Sequence, residues 1–226
     1  MIAVIISANS EWQAALEYLD PVSLLPNPFT EHFFSEVKGK PVVFIHGGWG
    51  KVSAAATAQY CIDTWHPEVL INLGTCGGLD GAIQAGETLL VNETVMYDIY
   101  ERMNDPAIAL RFYTTTLDLS FINQPYPIAV RIGRLASADQ DIDPMLVPML
   151  RDQFHVAAAD WESASIAWVA QHNATPCLIL RTVSDLVSEA GGEIYSDGAA
   201  QFSERSREIV QKLIESLPDW IAKFKK

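Results

Sequence analysis

The chain is short of positive charge. Its 226 residues carry 15 Lys and Arg against 28 Asp and Glu, a formal net charge of −13. No basic run is available to neutralise phosphates, which argues against a nucleic-acid or anionic-membrane surface. The acidity reads first as solubility. Cysteine is scarce as well. Cys61, Cys76 and Cys177 are an odd number without CxxC spacing. Each sits in an apolar or glycine-rich context, so they read as reduced thiols of an intracellular, cytoplasmic protein. The five histidines (His32, His46, His66, His155, His172) share no ligand spacing, so neither a metal nor a cofactor is expected. No apolar segment approaches the roughly 20 residues of a membrane helix. MIAVIIS at the amino terminus is apolar but short, with no basic residue ahead of it, and reads as a buried strand rather than a signal peptide. Repeats, low-complexity tracts and linkers are lacking too, so residues 1–226 read as one domain.

What is present is apolar sequence in short, punctuated runs. Hydrophobic residues make up 49% and charged residues 19%, a globular balance. IAVIIS (2–7) reads as a strand, followed by a helix capped by Asn9 or Ser10 that buries Trp12, Leu16 and Leu19. Residues 20–28 are a Pro-rich connection, and Lys38-Gly39-Lys40 turns a hairpin. GGWGKVSAAATAQYCIDTW (47–65) is a glycine-rich strand-to-helix junction. It matches neither a phosphate P-loop nor a dinucleotide fingerprint, because Lys51 is followed by Val52 and Ser53 stands at the third glycine position. EVLINLGTCGGLDG (68–81) predicts a buried strand running into a second glycine loop. There Gly74, Gly77 and Gly78 would let a ligand approach the backbone, with the Thr75 hydroxyl at the strand end. Residues 86–99 form a strand pair or one bent strand, and 100–127 an irregular aromatic-rich segment. Residues 127–143 return to strand and end in a polar loop, and 144–154 form a short helix. The last helix, from Ala199, buries Phe202, Ile209, Val210, Leu213, Ile214 and Leu217, and Pro218 interrupts it.

The acids stand where strands stop. HVAAA (155–159) precedes Asp160 and Glu162, a helix covers 163–173, and CLILRTV (177–183) precedes Asp185. Glu11 follows the first strand in the same way. In an open α/β sheet ligands bind outside the carboxyl ends of strands, so Asp160, Glu162 and Asp185 are brought to one rim. Two carboxylates flanking a bond is the arrangement that splits a glycosidic linkage. The plainer reading is that acids after strands cap helices and solvate turns.

Taken together, GGWGKVSAAATA, INLGTCGGLDGAIQAGETLLV, AADWESASIAWVA and RTVSDLV resemble the nucleoside phosphorylase superfamily. Within it the chain is most similar to the methylthioadenosine/S-adenosylhomocysteine nucleosidases. The resemblance spans nearly the whole chain and is weakest at 100–130. It implies a three-layer α/β/α domain with a mixed, partly barrel-like central sheet, dimeric, cleaving the N-glycosidic bond of a 5′-substituted adenine nucleoside.

It further implies Asp185 of the SD motif, with Ser184, as the acid at the purine, Glu162 on the ribose hydroxyls and Glu11 as the base for water. Thr75 falls near that water and Arg181 orients neighbouring acids. Trp161 lies against the ribose, while Trp49 and Tyr195 line the 5′ pocket. Asp141 and Ile142 sit in the loop that holds the base. Two departures stand out. Asp141 occupies a position where the family often stacks an aromatic on the purine. The bulk of Trp49, Trp161 and Tyr195 narrows the 5′ pocket, favouring a methylthio over a homocysteine substituent. The loop after the first strand, SANSEW, holds an acid where a phosphorylase has glycine and arginine, which favours hydrolysis over phosphorolysis. A phosphate-dependent phosphorylase, a hydrolase of another nucleoside such as futalosine, and a non-catalytic nucleoside-binding protein are the alternatives. The segment Tyr97–Met103 falls where a neighbouring subunit closes the pocket, so a homodimer is expected.

Overall fold

The computed structural model describes residues 1–194 and 198–225, with the backbone alone at 198–200. In chain order the strands are β1 (Ile2–Ile6), β2 (Leu25–Pro26), β3 (Glu31–Val37), β4 (Lys40–His46), β5 (Val69–Leu79), β6 (Thr88–Met96), β7 (Thr114–Thr116), β8 (Arg131–Ser137), β9 (Val156–Asp160), β10 (Cys177–Ser188) and β11 (Gly191–Gly192). The helices are α1 (Asn9–Leu19), α2 (Gly50–Trp65), α3 (Pro106–Phe112), α4 (Ser163–His172) and α5 (Gly198–Ala222).

All the strands join one mixed sheet, in which β5 pairs parallel with both β1 and β10. Because β5 also pairs antiparallel with β9, the path β10–β6–β8–β9–β5 closes on itself as a five-stranded barrel. The strands β1, β4, β3 and β2 extend it on one side as an open sheet. This is the expected α/β fold with a partly barrel-like sheet. Apolar residues alternate along β1: Ala3 and Ile5 face the core under α2 and α4, while Ile2, Val4 and Ile6 face the core under α1 and α5. A third cluster, with Leu79, Val95, Ala136 and Val156, fills the barrel side beneath the loop after β8.

Several local expectations are corrected. The glycine-rich stretch 74–78 is strand, not loop, because its missing side chains make room for neighbours. A Cβ at Gly74 would lie 2.6 and 2.8 Å from the Glu11 carboxylate oxygens and would also strike Arg181. One at Gly78 would meet Val183, Ile83 and Leu186. Asp185 lies inside β10 rather than after it, since pairing with β5 carries that strand on to Val187. The helix α1 is capped by Ala8 without a side-chain bond, so neither Asn9 nor Ser10 caps it. The segment 100–127 is less irregular than expected, as α3 and β7 form within it and β7 pairs with β6. Residues 144–154 make a 3-10 turn (Pro144–Leu146) and a wide π turn (Met149–Gln153), not one helix. Pro218 sits within a continuous α5, which buries Leu217 and Trp220 on either side of it.

Candidate active site

A cavity of about 450 Å³ opens where the start of α1, the middle of β5, the β9–α4 junction and β10 converge. Glu11, Glu162, Asp185, Thr75, Trp161, Trp49, Ile142, Asp141, Ser184 and Arg181 all line it. Tyr195 lies outside the described residues. The cavity is therefore where the topology brings the sequence-predicted residues together.

Its inner wall is a buried ionic network. Arg181, 1% exposed, donates from Nε to Ser163 Oγ (2.9 Å), from Nη2 to Asn72 Oδ1 (2.7 Å) and from Nη1 to the Thr75 carbonyl (3.3 Å). It forms ion pairs with Asp160 at 3.1 Å and with Glu11 at 3.8 Å. Burial works against its charge, but Asp160, Glu11 and Glu162 outweigh that and hold it firmly cationic. Glu11 Oε1 accepts from the Thr75 amide (2.5 Å) and hydroxyl (2.7 Å), which pins the carboxylate across β5. Its Oε2 is buried and meets no hydrogen-bond donor among the described residues. A buried carboxylate oxygen with one face unsatisfied is poised to accept a proton or a hydrogen bond from a ligand.

Asp160 plays a different part from the other acids. Its carboxylate accepts from Ser137 Oγ, Ser163 Oγ and the Ser163 amide, besides pairing with Arg181. It caps the first turn of α4 from within β9, whose last residue it is, so the plain capping reading holds for it although it does not follow the strand. Glu162, two residues on, makes no such cap and accepts from the Gly50 amide at 3.1 Å. Burial, reinforced by the charge of Asp160, pushes Glu162 up to about 8. Around neutral pH it therefore holds a proton much of the time and can both donate and accept.

Asp185 owes its position to a bulge. The register of β10 on β5 jumps between Val183 and Asp185, leaving Ser184 as the extra residue. Strand alternation is broken there, and consecutive residues Ser184 and Asp185 both line the cavity. Ser184 Oγ lies 2.6 Å from Asp185 Oδ1 and 3.2 Å from the Cys76 carbonyl, fixing the carboxyl rotamer. Burial raises the Asp185 pKa against the opposing Ser184 hydrogen bond, with Glu193 adding to the rise. A carboxyl shifted this way is suited to give up a proton to a leaving group.

The outer wall is open. Trp49 is 68% exposed and packs on Trp161, ring centres 5.2 Å apart and tilted by 31°. Asp141 is exposed on the loop after β8, whereas Ile142 turns inward over Gly77. Phe202, expected in the core, lines the cavity from the start of α5 with Ile194. Other lining residues escaped the sequence reading, namely Asn9, Ser10, Gln140 and Val187. Asn72 supports the wall from behind, buried and bridging the Ile5 carbonyl to Arg181. A lone asparagine inside an apolar run (VLINLG) was the available signal for it. Among the described residues no cluster could hold a metal ion, and no helix is long and apolar enough to cross a membrane. The three cysteines are buried free thiols.

The sequence profile of the phosphorylase superfamily matches residues 2–217. A 5′-methylthioadenosine/S-adenosylhomocysteine nucleosidase of Geobacillus sp. (strain WCH70) is 28% identical over 193 residues, 80% of this chain and 83% of that protein. Among solved structures, the 5′-methylthioadenosine/S-adenosylhomocysteine nucleosidase of Campylobacter jejuni superposes with a TM-score of 0.79 at 21% identity, covering 99% of both chains. The futalosine hydrolase of Helicobacter pylori strain 26695 superposes equally well, with a TM-score of 0.79 at 19% identity over 96% of this chain and 97% of that one. At such identities the structural likeness speaks to the fold alone.

Proposed function

The chain belongs to the phosphorylase superfamily, and on that premise we propose that it hydrolyses the N-glycosidic bond of a 5′-substituted adenine nucleoside, releasing adenine. The observation that carries this reading is the convergence of Glu11, Glu162 and Asp185, from three separate elements, on one cavity. In the proposed reaction Asp185 protonates the purine at N7 as the C1′–N9 bond breaks and its electron pair passes to the base. Glu162 holds the ribose hydroxyls beside the positive charge developing on the sugar. Water attacks C1′, and its proton passes to the unsatisfied oxygen of Glu11, which Thr75 and Arg181 hold in place.

Hydrolysis is favoured over phosphorolysis because Arg181, the one arginine lining the cavity among the described residues, is already engaged. Arg181 spends its donors on Ser163, Asn72 and Thr75 and its charge on Asp160 and Glu11. A phosphate beside the sugar would meet Glu11 instead, and like charges repel. The bulk of the paired Trp49 and Trp161 narrows the space for a 5′ substituent, so 5′-methylthioadenosine is the substrate best matched and S-adenosylhomocysteine the weaker one. Trp49 and Trp161 supply the apolar wall for the methylthio group.

The protein works as a homodimer in this reading. Trp49, which lines the cavity, and Val52, Tyr100 and Met103 are all strongly exposed apolar residues, and the contact of Lys51 with Asp98 ties their two segments together. A cytoplasmic setting suits its three reduced thiols.

The deciding experiment is base release from 5′-methylthioadenosine with and without phosphate, with the sugar product identified by mass. Adenine with free methylthioribose, indifferent to phosphate, is the expected result. A phosphate-dependent sugar phosphate would overturn hydrolysis, and binding without any base release would overturn catalysis.

A further inference from the structure

The base-side and sugar-side walls of the cavity come from different parts of the chain. The loop after β8 brings Gln140, Asp141 and Ile142, whereas Glu162 starts α4. Both are tied to the first turn of α2. The Gly50 amide donates to Glu162 Oε1 at 3.1 Å, and the next amide, that of Lys51, donates to Asp139 Oδ1 at 2.7 Å. Asp139 immediately precedes the lining residues of the loop. Its own amide donates to Asp98 Oδ2 at 3.0 Å, and the Lys51 ammonium pairs with Asp98 and lies 3.7 Å from Asp139. Lys51 and Asp98 are mostly buried, at 13% and 21% side-chain exposure, so this pair is less screened than a surface one.

Gly50 is what permits the approach. Its φ is +82°, and a Cβ there would lie 2.9 Å from Asp139 Oδ1. The Asp139 carboxylate at the helix start is also favoured by the dipole of α2.

We propose that Lys51, Asp98 and Asp139 form a positioning clamp that fixes the spacing between the base-side loop and Glu162, and thereby sets how tightly the cavity grips its nucleoside. The proposal rests on the nucleoside reading of this cavity. None of the three residues lines the cavity itself, so their loss deletes no ligand contact. Their effect falls on the geometry of the two walls, and through it on binding shared by ground and transition states.

The test compares Lys51→Met, Asp139→Ala and Asp139→Asn with wild type, measuring kcat, KM for 5′-methylthioadenosine and melting temperature. Lys38→Met, which breaks the exposed pair of Lys38 with Asp219 at 3.7 Å, controls for loss of a surface charge. Lys51→Met and Asp139→Ala should each raise KM by roughly fivefold with kcat little changed. Asp139→Asn keeps an oxygen for the Lys51 amide and should recover most of the loss. Because the pair is mostly buried, high salt should leave the wild-type KM well below that of Lys51→Met. Unchanged KM in Lys51→Met and Asp139→Ala, or equal falls in kcat and kcat/KM that track melting temperature, would overturn the clamp while leaving the nucleoside reading intact. A wild-type protein that neither binds nor cleaves the nucleoside would overturn both.

Discussion

The inner and outer walls of the cavity are built on opposite principles. On the inner wall Glu11, Asn72, Asp160 and Arg181 are all buried in or beside barrel strands and locked by hydrogen bonds to one another. On the outer wall Trp49 and Asp141 stand exposed on a helix start and a loop. Bond-breaking needs charges held in fixed places in a dry setting, which only the barrel can provide. Choosing a substituent needs shape, and shape can vary on elements whose change does not unfold the protein. Both of the chain's departures among described residues, Asp141 and the bulky Trp49–Trp161 pair, accordingly fall on the outer wall.

The contrast breaks most sharply at Arg181. Arg181→Met should destabilise the protein by about 3–5 kcal/mol, because Asp160 and Glu11 are left as uncompensated buried charges. Urea denaturation would register it, and a loss below about 1 kcal/mol, the value of an exposed pair, would mean that the inner wall is no more tightly built than the outer. Next in size is Asp185→Asn, which keeps the shape but removes the transferable proton. Turnover should fall about 10²–10⁴-fold while binding of an uncleavable adenosine analogue, followed by calorimetry, stays near wild type. Near-normal turnover would remove Asp185 from the acid role.

Much of this contrast is legible in the amino-acid sequence itself. The acids after strands, the SD motif and the buried runs at 2–7 and 177–183 place Glu11, Glu162 and Asp185 on one rim by periodicity and resemblance. What stays hidden there depends on contacts between distant strands. Nothing local tells that β5 pairs with both β9 and β10, so the glycines at 74–78 read as a loop when they lie in a strand, with Gly77 on the cavity and Gly74 and Gly78 serving as gaps filled by Arg181, Glu11 and Val183. The bulge at Ser184 is equally silent, since a register shift belongs to a pair of strands and not to one. Asp160 and Glu162 look alike in sequence and both line the cavity, and only the neighbours they reach make Asp160 a helix cap as well.

Glu162 sharpens the comparison through pH. Its pKa is pushed from the ordinary 4.5 to about 8 by burial first and Asp160 second. Between those values the native state holds a proton that the unfolded chain releases, so this group makes stability fall as pH rises through that window and level off above it. Glu162→Gln should flatten that slope and leave the variant relatively more stable than wild type at pH ~9, above the shifted pKa, measured as the difference in urea midpoint, even as activity is lost. An unchanged slope would mean that the carboxyl is already ionised at neutral pH.

Outer-wall changes should be milder. Trp49→Ala removes the partner of Trp161 and should raise KM for 5′-methylthioadenosine roughly fivefold, with urea midpoint and kcat near wild type. A large fall in stability would show that the tryptophan pair belongs to the core after all.

The smallest effect tests whether the two walls communicate by charge. Burial is the main reason the Asp185 pKa is raised, and the negative charge of Asp141 contributes in the same direction from across the cavity. Asp141→Asn removes that charge at constant size, so ionisation of Asp185 becomes easier and its pKa moves down. The protonated acid is then lost at lower pH, and the alkaline limb of the kcat/KM profile should shift toward acid with little change in its maximum. Glu193→Gln should move the limb the same way and further, because Glu193 is the stronger of the two charges acting on Asp185. If neither substitution moves the limb, the exposed wall shapes the substrate without tuning the acid, and selection and chemistry are separable in this cavity.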